Sequence, residues 1–187
     1  MISRFFDLFL ALTLLIVIIG PSILLSLLIK FSSKGPIFHW SKRVGKENKI
    51  FLMPKFRTMH IDTPDIATHE LKNPDQYITS IGVFMRKSSL DELPQIYSVL
   101  LGDMSFVGPR PALHNQYDLI ELRKKRGIDL IKPGITGWAQ VNGRDELSIN
   151  EKVKYDEEYL LKASLLIDIH IIWLTIIKAI RKDGVSH

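Results

Sequence analysis

The chain has 187 residues, 46% of them hydrophobic and 24% charged, which is the size of a single domain. So much apolar content excludes intrinsic disorder, so much charge excludes a multi-span membrane protein, and the absence of cysteine excludes disulfides, thiolate metal sites and a cysteine nucleophile. A net charge of +5 points to an anionic partner: nucleic acid, anionic lipid or a phosphorylated substrate.

Residues 8–29 form a run of 22 without a charge. As helix it would extend roughly 33 Å, long enough to cross a bilayer. Gly20-Pro21 falls inside the run, and proline in a helix interior removes a hydrogen bond and kinks or breaks the helix. A break there would leave about twelve apolar residues before it and about eight after, each too short to span alone. A simple crossing and a helix-break-helix that enters and leaves by one face therefore both stand. A secretory signal fits poorly, because Arg4 is followed by Asp7 and no small-x-small cleavage site follows the apolar residues.

Between residues 30 and 60, Lys30, Lys34, Lys42, Arg43, Lys46, Lys49, Lys55 and Arg57 oppose only Glu47, a local excess of +7. Beside a membrane segment such a stretch favours the cytoplasmic face through anionic lipid headgroups, at roughly 1 kcal/mol per basic residue. A plain stop-transfer flank accounts for it as well as a substrate site does. No nucleic-acid motif accompanies the charges, so nucleic acid is not expected as a partner.

Further along, Pro36-Ile37-Phe38 and Ile50-Phe51-Leu52-Met53 read as brief strands, and residues 62–76 as a polar surface loop. Residues 90–101 carry helical apolar spacing. Residues 117–126 read as a polar helix ending at Gly127, and residues 132–137 are dense in turn chemistry. A second apolar stretch, residues 160–180, is interrupted by Lys162, Asp168, His170 and Lys178, which favours an interfacial or half-buried helix over a second crossing.

Three segments carry candidate chemistry. In Ser88-Ser89-Leu90-Asp91-Glu92-Leu93-Pro94-Gln95, Ser89 and Glu92 have the spacing of a capping box. Asp91 and Glu92 then read either as acidic residues favoured at a helix N-terminus or as functional carboxylates, Asp91 ionised and facing phosphorus. In Gly108-Pro109-Arg110-Pro111, two prolines hold one guanidinium in a geometry suited to bidentate phosphate recognition; a rigid turn with an exposed arginine is the plainer alternative. In Gly134-Ile135-Thr136-Gly137-Trp138-Ala139-Gln140-Val141-Asn142-Gly143-Arg144, glycines permit close backbone approach to a ligand, and the Lys-Ser/Thr ending of a P-loop is missing. His39, His60, His69, His114, His170 and His187 show no zinc spacing, so a metal would need oxygen ligands, with Asp91, Glu92, Asp156 and Asp168 as candidates for Mg²⁺.

Taken in order, Arg4-Phe5-Phe6-Asp7, Pro54-Lys55-Phe56-Arg57-Thr58-Met59, residues 89–95, 102–111 and 132–144, and Tyr155-Asp156 followed by Asp168 resemble the bacterial sugar transferase family, the monotopic phosphoglycosyl transferases, in its minimal single-domain form. The resemblance covers nearly the whole chain. It implies an α+β, mostly helical fold with a re-entrant membrane helix over residues 1–30, broken near Pro21, and a cytoplasmic, membrane-associated catalytic domain over residues 31–187 with short strands and interfacial helices. It further implies a bacterial inner-membrane transferase that moves a sugar 1-phosphate from a UDP-sugar donor to polyprenyl (undecaprenyl) phosphate with release of UMP. Asp91 would form a covalent phosphosugar intermediate, with Glu92 binding Mg²⁺ or deprotonating the acceptor. Lys55, Arg57, Arg86, Arg110 and Arg144 would neutralise substrate phosphates. Asp156 and Asp168 match acidic positions of the family and stand as metal or structural residues. A non-catalytic membrane adaptor and a nucleotide-sugar hydrolase are the competing classes.

Overall fold

The computed structural model describes residues 4–64, 73–143 and 146–181. Arg144 and residues 65–72 of the polar loop lie outside the described residues.

Helix α1, Arg4–Ser32, is helical throughout and contains Pro21. The break expected at Gly20-Pro21 is not an end of the helix: Pro21 removes one hydrogen bond and gives the helix a point at which to bend, while the turns on both sides pack against the body. Asp7, Ala11, Leu25 and Ile29 are buried, and Leu14 and Ile18 pack between them, so positions spaced by three, four and seven residues face the body in one stripe. Ala11 enters a core with Met53, Val99, Met104, Phe106 and Ile171. Leu25 and Ile29 enter a second core with Phe56 and Met85. The opposite side of α1 exposes Phe5, Phe9, Ile16, Val17, Ile23, Leu24 and Phe31.

The first turn of α1 is tethered by polar groups as well. Arg4 donates to the carbonyls of Val99 and Leu100. The buried Asp7 carboxylate accepts from Ser105 Oγ at 3.0 Å and from Phe106 N at 3.1 Å.

Strands β1, Phe38–Val44, and β2, Ile50–Phe56, form an antiparallel hairpin with Phe38 opposite Phe56 and Val44 opposite Ile50. Strand β2 extends past the run at residues 50–53, whereas β1 shares only Phe38 with the run at residues 36–38 and continues to Val44, because Ser41 and Arg43 alternate inward among basic residues that hide the period of two. Pro54 is accommodated since each strand of a two-stranded hairpin keeps a free edge. Helix α2, Ser80–Lys87, and a 3₁₀ helix, Leu90–Gln95, lead into α3, Ile96–Leu101.

Strand β3, Ser105–Val107, pairs in parallel with β4, Gly134–Thr136. The glycines expected to approach a ligand instead let two main chains meet: a Cβ on Gly134 would lie 2.1 Å from Gly108 N, and one on Gly137 2.1 Å from Gly108 O. Between these strands, α4, Tyr117–Lys125, closes at Arg126 and a left-handed Gly127. Helix α5 is Trp138–Val141, and α6, Ile149–Lys162, begins with a capping box between Ser148 and Glu151.

The second apolar stretch divides between the end of α6 and α7, Leu165–Arg181. Helix α7 is half-buried. Asp168 and Ile171 turn inward, whereas Leu166, Trp173 and Ile176 are exposed.

Candidate active site

The 3₁₀ helix Leu90–Gln95 presents Asp91 and Glu92. Ser89 adopts a left-handed conformation, φ 55° and ψ 18°, and its hydroxyl makes no capping bond, so the capping box expected between Ser89 and Glu92 does not form. Pro94 has no amide hydrogen to give to Leu90, which removes an α-type bond at this point and suits the tighter turn. The consequence is chemical. Glu92 is not folded back on its own helix terminus and points instead at two cations.

Lys55, near the end of β2, places Nζ 2.8 Å from Glu92 Oε1 and 3.9 Å from Asp91 Oδ2. Arg110, between its two prolines after β3, donates from NH2 to the same Glu92 oxygen at 2.9 Å. Arg86, at the end of α2, donates through Nε to Thr58 Oγ1 at 3.0 Å and adds positive potential at Asp91. The sequence-derived set of Asp91, Glu92, Lys55, Arg86 and Arg110 therefore converges on one place.

The two carboxylates differ electrically. Burial pushes the Asp91 carboxyl above its usual range, Lys55 and Arg86 pull it back, and the adjacent Glu92 pushes it up again. This reverses the lowering expected from a helix N-terminus. Burial acts on Glu92 too, but there Arg110 and Lys55 overcome it and hold the group well below the usual carboxylate range. Lys55 is pushed down by burial, with Glu92 opposing. At neutral pH Glu92 is a fixed anion, while Asp91 is the less completely neutralised group.

Arg57 does not join this cluster. Its guanidinium donates to the carbonyls of Pro36 at 2.6 Å, Ser33 at 3.1 Å and Met59 at 3.4 Å, and so ties the end of α1 to the hairpin. Asp156 is 2% exposed and accepts from Arg123 Nε at 3.0 Å and NH2 at 2.7 Å. Asp168 is fully buried and accepts from Tyr159 Oη at 2.6 Å; burial and that bond push the tyrosine hydroxyl upward, which keeps it a donor. Among the described residues no three His, Asp or Glu side chains gather closely enough to hold a metal, so Asp156 and Asp168 are not brought to Asp91 and Glu92.

Two arginines escaped the sequence reading. Arg43 lies on the same face of the hairpin as Lys55, a relation that alternation along β1 would have shown had the strand been recognised in full. Arg123 donates through NH1 to the carbonyl of Arg110 at 2.8 Å and so steadies the loop that presents Arg110. Nothing in the sequence marks that contact, which joins α4 to a turn thirteen residues earlier.

Residues 1–182 match the bacterial sugar transferase family. The chain is 42% identical over 191 residues to the UDP-glucose:undecaprenyl-phosphate glucose-1-phosphate transferase of Escherichia coli (strain K12), covering 95% of this chain and 40% of that protein. It is 38% identical over 190 residues to the undecaprenyl-phosphate glucose phosphotransferase of Komagataeibacter xylinus, covering 93% and 35% respectively. It is also 37% identical over 186 residues to the uncharacterized sugar transferase EpsL of Bacillus subtilis (strain 168), covering 99% and 90%. The chain thus spans well under half the length of the first two relatives and nearly all of the third.

Proposed function

The chain belongs to the bacterial sugar transferase family, and we propose that it moves a sugar 1-phosphate from a UDP-sugar to polyprenyl phosphate, such as undecaprenyl phosphate, releasing UMP. The observation that carries this reading is the Asp91-Glu92 pair, in which Lys55 and Arg110 share one oxygen of Glu92 and leave Asp91 beside it less neutralised. That is the arrangement a nucleophile needs next to a cationic phosphate site.

In the first step an Asp91 oxygen attacks the β-phosphorus of the donor. The new O–P bond forms as the bond between β-phosphorus and the bridging oxygen breaks, and UMP leaves with that electron pair. In the second step an oxygen of the lipid phosphate attacks the same phosphorus and the Asp91 carboxylate departs. Two steps let a water-soluble donor and a lipid acceptor use one site in turn. Held so far below the usual range, Glu92 is a poor base, and a phosphate monoester with a second pKa of about 6 is already largely dianionic at neutral pH. Glu92 therefore serves to hold Lys55 and Arg110 in place.

Mg²⁺ fits the donor set in a limited way. It typically takes one or two carboxylates and completes its shell with water and substrate phosphates. Asp91, with the Glu92 oxygen not shared by Lys55 and Arg110, would hold it, and it would supply neutralisation of phosphate charge. The arginines and Lys55 contribute to that neutralisation from the protein.

For topology we propose a re-entrant, monotopic anchor on the cytoplasmic face of the bacterial inner membrane. Arg4 at one end of α1 and Ile29 at the other both contact the same body, whereas a crossing helix would carry one end about 30 Å away. The exposed apolar side of α1 and the outward face of α7 then meet lipid. Single cysteines placed at positions 3 and 34 of the cysteine-free chain should both label only from the cytoplasmic side; periplasmic labelling at position 3 would refute the re-entrant anchor.

The catalytic proposal is tested by UMP release with UDP-glucose, UDP-galactose and further donors, undecaprenyl phosphate and Mg²⁺. The wild type should release no more than one UMP per enzyme without the lipid and turn over repeatedly only with it, and Asp91→Asn should do neither. Full activity in Asp91→Asn, or repeated wild-type turnover that ignores the lipid, would overturn it.

A further inference from the structure

We infer that Arg43 is a phosphate-binding residue that closes, opposite Arg110, on the phosphoryl group being transferred. This inference rests on the reading of the site as a phosphoglycosyl transferase. Arg43 stands on β1, on the hairpin face that also carries Lys55. Its Nε donates to Ser41 Oγ at 3.0 Å and its NH1 to the carbonyl of Pro111 at 3.1 Å. Those two bonds fix the plane of the guanidinium, and the second is made to the residue next to Arg110. The remaining terminal nitrogen, NH2, has no hydrogen-bond partner among the described residues.

A planar donor group held on two sides with a third donor left over is organised for an anion that is still to come. The electrostatics agree. Burial pushes Arg43 down to about 10, the like charge of Arg110 pushes in the same direction, and only Glu92 opposes them. Glu92 is already shared by Lys55 and Arg110. Four basic side chains thus act on two carboxylates: Arg43 and Arg110 on Glu92, Arg86 on Asp91, and Lys55 on both. The imbalance has the sign and size that a phosphoryl group relieves. A role confined to stiffening the hairpin would not need a cation beside another cation, since a neutral side chain could satisfy the Pro111 carbonyl without repulsion.

The test compares binding of UDP, which carries the phosphate concerned, with UMP, which lacks it, by calorimetry on detergent-solubilised full chain. Arg43→Gln should weaken UDP about tenfold or more while UMP changes less than about twofold, as expected for loss of a charged hydrogen bond. The retained UMP affinity shows that the fold is intact. Repeating Arg43→Gln in an Arg110→Gln background separates direct contact from steadying of Arg110: a further loss of UDP affinity is expected, and no further loss would overturn the inference. Equal weakening of UDP and UMP, or no weakening of either, would overturn it as well. Lipid-dependent UMP release by the wild type is scored separately, so the transferase reading survives if only Arg43 fails, and fails on its own if the wild type releases no UMP while UDP binding still depends on Arg43.

Discussion

The buried pair Asp156–Arg123 holds the fold and the Arg110 loop together, and breaking it separates a structural carboxylate from a metal-binding one. Asp156, on α6, takes two hydrogen bonds from Arg123 on a single oxygen, and the third nitrogen of Arg123 reaches the Arg110 carbonyl. Asp156→Ala strands a guanidinium that is only 11% exposed. Removing one partner of a buried pair costs about 3–5 kcal/mol. For a chain of this size each kcal/mol shifts Tm by about 2–4 °C, so a fall of roughly 6–20 °C is expected in detergent micelles followed by intrinsic fluorescence. UMP release should fall with it, because Arg123 no longer holds the Arg110 backbone. Replacing both partners by apolar residues, Arg123→Met with Asp156→Leu, should recover most of the stability but not the activity. A loss under about 1 kcal/mol in Asp156→Ala would refute the structural assignment, as would a Mg²⁺-dependent rise of Tm in the wild type that Asp156→Asn abolishes.

Three other outcomes follow from the same geometry. Asp91 must be ionised to attack, and its raised carboxyl means that kcat/KM falls on acidification at a pH above the ordinary 3.8, with Asp91→Asn inactive yet no less stable at neutral pH because a desolvated charge has been removed; a lowered Tm in that variant would contradict the assigned direction. Arg57→Gln loses three carbonyl tethers and should cost about 3 kcal/mol of stability while UDP affinity stays within about twofold, measured by melting and calorimetry together. Ser148→Ala removes the capping box of α6 and should lower stability by about 1 kcal/mol without touching UMP release.

How far the sequence announced this arrangement depends on the kind of contact involved. The Asp91-Glu92 pair, Lys55 and proline-flanked Arg110 were visible because each lies in a compact local motif. Ser89 and Glu92 have capping-box spacing, but spacing does not reveal that Ser89 takes a left-handed conformation; the box that forms is at Ser148. Arg57 sits two residues from Lys55 and reads the same on a charge count, but the chain has left β2 by then and the side chain meets carbonyls. Gly134 and Gly137 signal a close approach in the sequence, but its object, the Gly108 main chain, is distant along the chain and so not legible there. Arg43 was hidden inside a run of positive charge, where every basic residue carries the same weight until the strand assigns it a face.

Helix α1 leaves one further mark on the behaviour of the molecule. The side that contacts lipid in the proposed topology and the side that completes both hydrophobic cores belong to the same turns of helix. A truncation made to obtain a water-soluble fragment would therefore take Ala11, Leu25 and Ile29 out of the interior along with the anchor. Solubility and foldedness are tied to one segment, so leaving the bilayer and losing the native state become linked events, and the amphiphile that replaces the lipid becomes a component of the protein's stability.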